Sequence, residues 1–126
     1  MDTRSKILTL ESALALEPAR PLALVAGLFD VLRTAHAREL AGVRSRADAA
    51  TLMAVVLPDA QAVLSQRARA ELVAALRVID YVVAANDAEL DRIAAALAPA
   101  AVVRLEDADR VRLRQLIAHV HSRQAR

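Results

Sequence analysis

Residues 22–42 read LALVAGLFDVLRTAHARELAG. Leu22–Ala26 is short and continuously apolar, the pattern of a strand buried on both faces of a parallel sheet. A turn containing Gly27 follows, then Asp30, a short polar bridge with Arg33 and His36, and a helix over about Ala35–Val43. In an open parallel sheet, ligands bind beyond the carboxyl ends of the strands. Gly27 falls at that point, where a glycine permits a tight turn or a close approach to the backbone. A helix beginning near Thr34 aims its first N–H groups at the same crevice, which suits phosphate. Arg33 and His36 beside that helix start supply cations for a phosphoryl group. Asp30 is expected either to touch a substrate or to organise the turn.

The rest of the chain repeats the alternation. Thr9 caps a short helix over Leu10–Leu16, and Pro18 and Pro21 end it. Thr51–Leu57 is a second apolar run closed by Pro58. Apolar residues at 64, 68, 72, 75, 76 and 79 have helical spacing. Tyr81–Val83 is a third strand candidate. Asn86 and Glu89 form a capping box for a helix with Leu90, Ile93, Ala94 and Leu97 on one face, stopped by Pro99. Ala101–Leu105 is a fourth strand, and a last helix is expected over Ala108–Ser122. This order predicts one domain over residues 1–126, a three-layer α/β unit with a short parallel sheet of about four strands. The high alanine content favours the rival, an all-helical bundle. The valine-bearing strands and the regular breaks between them oppose it.

Composition narrows the function classes. There is no cysteine, so thiolate metal sites, disulfides and cysteine nucleophiles are excluded. The net charge is only +2, and one Phe, one Tyr and no Trp leave little for base stacking. Nucleic acid is therefore not an expected partner. No segment has the roughly eighteen uninterrupted apolar residues of a membrane span, and MDTRSKILTL lacks the apolar run of a signal peptide. The expected location is cytoplasmic. His119 and His121 stand two apart on a predicted helix and face different directions, so no metal site is expected there. Small side chains bury little area each, which makes a homodimer an expected source of added stability.

The layout around residue 27 resembles the nucleotidyltransferase superfamily that includes cytidylyltransferases and the nucleotidyltransferase domain of heptose-nucleotide synthases. That family carries Gly-x-Phe-Asp followed by His-x-Gly-His. Gly27, Phe29, Asp30 and His36 match; Arg33 stands at the first histidine and Ala35 at the glycine. KILTL at 6–10, RARAELVAALRVIDYVV at 67–83 and residues 90–103 are similar to further segments of the family. The resemblance implies a Rossmann-like fold and transfer of a nucleotidyl group from a nucleoside triphosphate, with Mg2+, to a phosphorylated sugar or alcohol, releasing pyrophosphate. It assigns His36 and Arg33 catalytic roles. Gly27, Leu28, Phe29, Asp30 and Ala35 become the nucleotide- or phosphate-binding residues, with no metal ligands among them. Arg67 and Arg69 flank the start of the next helix and are the further phosphate-binding candidates, against the alternative of a solvated helix face. Arg33 changes the donor geometry of an imidazole, and the Ala35 methyl group occupies space that the family leaves to the nucleotide. The family's later Ser/Thr-rich phosphate motif and the lysine after the second strand are absent. An inactive member serving as a nucleotide or phosphometabolite binder, or as a structural homodimer, is the second expectation. A protein-interaction module using an alanine-rich helix face is the third.

Overall fold

The computed structural model describes residues 3–30 and 34–105. Five parallel strands form one sheet: β1 (Ile7–Leu8), β2 (Leu22–Gly27), β3 (Thr51–Val56), β4 (Tyr81–Ala84) and β5 (Ala101–Arg104), in the order β1-β4-β3-β2-β5. β2 and β3 are central and every residue in them is buried. They pair in register from Leu22 opposite Thr51 to Gly27 opposite Val56. Such strands cannot alternate apolar with polar, which is why both read as continuous apolar runs.

Successive residues point to opposite faces, and the two faces make two cores. Leu22, Leu24, Ala26, Met53, Val55 and Val83 pack with α1 (Leu10–Leu14) and α4 (Asp87–Leu97). Ala23, Val25, Leu52, Ala54, Val56 and Val82 pack with α2 (Thr34–Arg46) and α3 (Gln66–Ala74). The layer of each helix follows the direction of travel across the sheet. The chain steps one way through β2, β3 and β4 with α2 and α3 on one face. It steps the other way from β1 to β2 and from β4 to β5, with α1 and α4 on the opposite face. Right-handed crossovers require this split. The architecture is the expected three-layer α/β/α Rossmann-like one.

Several boundaries differ from the sequence reading. The sheet has a fifth strand, Ile7–Leu8, paired with Val82 and Val83; two residues are too short to show a period. Gly27 closes β2 instead of turning the chain. No glycine among the described residues has positive φ, and the left-handed residue is Phe29 at φ 53°. The run 64–79 is helical only from Gln66 to Ala74, capped by Ser65, whose hydroxyl accepts from Ala68 N. Leu76 and Ile79 are packed on the same core from the connection that follows. Thr9 caps α1 by accepting from Ser12 N, and the Asn86–Glu89 capping box is present at α4. Arg33 and the expected helix at 108–122, with His119 and His121, lie outside the described residues, as does the side chain of Ala35.

Cations close the other helix ends. Arg20 donates to the carbonyls of Leu97 (2.5 Å) and Ala98 (3.1 Å) after α4, where orphan carbonyls and the helix dipole favour positive charge. Lys6 Nζ donates to Leu76 O just past α3 at 3.2 Å. At the amino end of the sheet, Arg44 from α2 pairs with Asp80 at 3.0 Å and donates to Val78 O and Ala50 O. The Asp80 carboxylate also accepts from Leu52 N at 2.9 Å.

Candidate functional site

The strand order reverses beside β2. β3 continues the sheet on one side, and β5, reached only after β4, lies on the other. At such a switch point the loops leaving neighbouring strands diverge, and a crevice opens beyond their carboxyl ends. Here it is bordered by Gly27–Asp30, which leaves β2, by the amino end of α2, and by Arg104 and Leu105 at the end of β5. The floor is tied by backbone bonds: Leu57 N to Gly27 O at 2.9 Å and Leu105 N to Ala26 O at 2.7 Å. Arg104 forms an ion pair through Nη2 with Asp87 in the first turn of α4.

Leu28 and Phe29 are buried, Phe29 completely. The Phe29 ring belongs to the core beneath α2 and α3, although its backbone sits in a region that disfavours side chains. Burial of the ring holds that conformation, and the left-handed residue directs the chain out of the sheet. Asp30 follows. Its Oδ2 accepts from Val63 N at 2.8 Å and its Oδ1 from Leu64 N at 2.9 Å. Both oxygens thus join the loop after β2 to the loop after β3, the organising role that its position between strand and helix allowed.

Arg69 completes the junction from α3. The residue is 1% exposed. Nη1 donates to Leu28 O at 2.7 Å and to Leu57 O at 2.8 Å, and Nε donates to Leu64 O at 3.2 Å. The first carbonyls past β2 and β3 are therefore held by one guanidinium. Leu64 is held at both polar groups, its N–H by Asp30 and its C=O by Arg69. Gln66 Nε2 adds a bond to Val56 O at 2.8 Å.

The expected site residues divide into groups. Gly27, Leu28, Phe29 and Asp30 form the loop itself, and Arg69 is bonded to it. His36 stands in the first turn of α2 and is 4% exposed, so the imidazole is enclosed at the helix start. Arg67 is separate from Arg69. It pairs with Glu71 at 3.2 Å, one helical turn on, and lines a cleft of about 270 Å3 beside Leu8, Thr9 and Ala84, at the β1–β4 edge. The loop from Pro58 to Ser65 was missed as a site wall. Ser65 ahead of the helix is the local signal that marks its end; nothing local marks its attachment to Asp30. Among the described residues no three His, Cys, Asp or Glu side chains are grouped to hold a metal ion. No helix among them is long and apolar enough to cross a membrane.

No protein-family model matches the chain, and no curated protein matches it. Among solved structures, the lipopolysaccharide core biosynthesis protein from Thermoplasma volcanium GSS1 is similar. The superposition has a TM-score of 0.57 at 18% sequence identity and covers 64% of this chain and 70% of that one. At that identity the likeness is one of fold.

Proposed function

We propose that the protein is nucleotidyltransferase-like and holds the phosphates of a nucleoside triphosphate in the crevice between β2 and β5. One observation carries this reading: the strand order reverses at β2, where Gly27–Asp30 and the amino end of α2 leave the sheet together. The likeness in fold to a lipopolysaccharide core biosynthesis protein supports it, as does the match of Gly27, Phe29, Asp30 and His36 to the family pattern. In this reading the first N–H groups of α2, which have no partner within the helix, meet the phosphates. His36 and Arg33 stabilise charge on them. An oxygen of a phosphorylated sugar or alcohol bonds to the α-phosphorus. The bond from that phosphorus to the bridging oxygen breaks, and pyrophosphate leaves with the electron pair. Mg2+ arrives with the triphosphate as part of the substrate.

Binding without turnover is the second reading, in a monomer or a homodimer. The side chain of Asp30 favours it, because both carboxylate oxygens are spent on loop backbone. Calorimetry with CTP and ATP in Mg2+, followed by pyrophosphate release across a panel of sugar and alcohol phosphates, separates the two. Transfer predicts saturable triphosphate binding and release with at least one acceptor, both reduced in His36→Ala. Binding with no release across the panel supports the second reading. Absence of both triphosphate and sugar-phosphate binding removes transfer and binding alike, and a stable dimer would then favour a structural role. Arg33→His together with Ala35→Gly restores the family pattern, and a gain of binding or turnover would show that those two departures limit the site.

A further inference from the structure

The wall between β3 and α3 contains a charge that forms no ion pair with any described residue. Pro58–Ala60, Ala62–Gln66 and Arg69 line a cleft of about 490 Å3, within the range of roughly 300–1,000 Å3 of small-molecule sites. It opens on the β3 side of the Gly27–Asp30 loop, whereas the switch-point crevice lies on the β5 side. Pro58, Ala60, Ala62, Val63 and Leu64 make it largely apolar. Its polar side chains are engaged in the loop: Asp59 Oδ1 accepts from Gln61 N, Ser65 Oγ from Ala68 N, and Gln66 Nε2 donates to Val56 O.

Arg69 is different. A guanidinium stays protonated in proteins, and this one is almost fully buried. The three carbonyls on Nε and Nη1 satisfy hydrogens but supply no net negative charge. Arg44, Arg67 and Arg104 form ion pairs, whereas Arg69 forms none with a described residue. Asp30 shares Leu64 with Arg69, yet spends its oxygens on Val63 N and Leu64 N and does not pair with it. The Nη2 group has no hydrogen-bond partner among the described residues. Buried charges are ordinarily paired and buried donors ordinarily bonded, because the alternative is costly. A buried cation with no ion pair among the described residues, lining a cleft of ligand size, calls for an anion.

We propose that this cleft binds a small molecule through an oxyanion group, a phosphate or a carboxylate, placed against Arg69, with the apolar part of the molecule along Ala60, Ala62 and Val63. The proposal stands on the cleft and Arg69, independently of nucleotidyl transfer. It is tested on the full chain by 15N NMR titration with inorganic phosphate, glycerol 3-phosphate and butyrate, with glycerol as the neutral control. Saturable shifts of the amides of 59–66 and of Arg69 Nε–H are expected with the anions, and the ranking of the arms tells phosphate from carboxylate. Val63 is 78% exposed at the rim, so Val63→Glu leaves the core intact and should weaken binding by roughly threefold to tenfold through like charge. Arg69→Gln should abolish it; where that variant does not fold, Val63→Glu carries the test. The proposal is overturned by no saturable shift at 59–66, by an equal response to glycerol, by unchanged affinity in Val63→Glu, or by shifts confined to 27–30 and 34–40. That last pattern would place the anion in the β2–β5 crevice.

Discussion

Asp30 concentrates the long-range work of the site in one carboxylate. Its two bonds reach residues 33 and 34 positions away. Asp30→Ala leaves Val63 N and Leu64 N without those acceptors. Hydrogen bonds to a charged group contribute about 1.5–3 kcal/mol each, but Asp30 is only partly buried and water replaces some of the loss. A destabilisation of about 1–3 kcal/mol is expected in urea unfolding. Phe29 sets two effects against each other. Phe29→Gly relieves a left-handed backbone worth about 1–2 kcal/mol but removes a fully buried ring, and truncating a buried Phe to Ala already costs about 3–5 kcal/mol. Burial wins, so the variant should unfold at lower denaturant despite its relaxed turn. Neither result was legible in the sequence. Asp30 was identified as a site residue or turn former, yet its partners lie in a distant segment. The turn was assigned to Gly27 because glycine is the usual left-handed residue, whereas packing places Phe29 there.

At the scale of elements, a helix middle and a helix end are filled the wrong way round for stability. Gly42 lies inside α2, where an added Cβ would meet only the flexible Arg46 guanidinium, at 3.0 Å. Ala98 caps α4 at φ 47°, a conformation glycine adopts without strain. Gly42→Ala should raise stability by about 0.5–1 kcal/mol, and Ala98→Gly by about 1 kcal/mol, each read from thermal melts. Their places on helices packed against opposite faces of the sheet predict additive gains in the double variant. Removing the Asn86 cap by Asn86→Ala should cost about 1 kcal/mol. This capping box was readable because its two bonds span three residues. The end of α3 was not. Leu76 and Ile79 continue the helical spacing, and no glycine or proline marks the stop after Ala74. Lys6 reaches Leu76 O from the other end of the chain, so that terminus is fixed by a contact no window of sequence contains.

For the whole molecule, the order of alternating elements was sufficient to predict the three-layer class, because continuous apolar runs demand a sheet covered on both faces. The strand order was not readable. It depends on which way each crossover travels, and that choice places the switch point at β2. If the crevice binds a triphosphate, ligand at a hundred times its dissociation constant should stabilise the fold by about 2.7 kcal/mol, seen as a rise in melting temperature that His36→Ala diminishes. The Arg44–Asp80 pair lies at the amino end of the sheet, away from the loops that leave the carboxyl ends of β2 and β3. Its guanidinium and carboxylate lock α2, β3 and the entry to β4 where no ligand is expected. The protein can therefore be toughened or loosened at that pole while its recognition surfaces stay unaltered. A designer could tune endurance there and selectivity at the opposite pole as two separate dials.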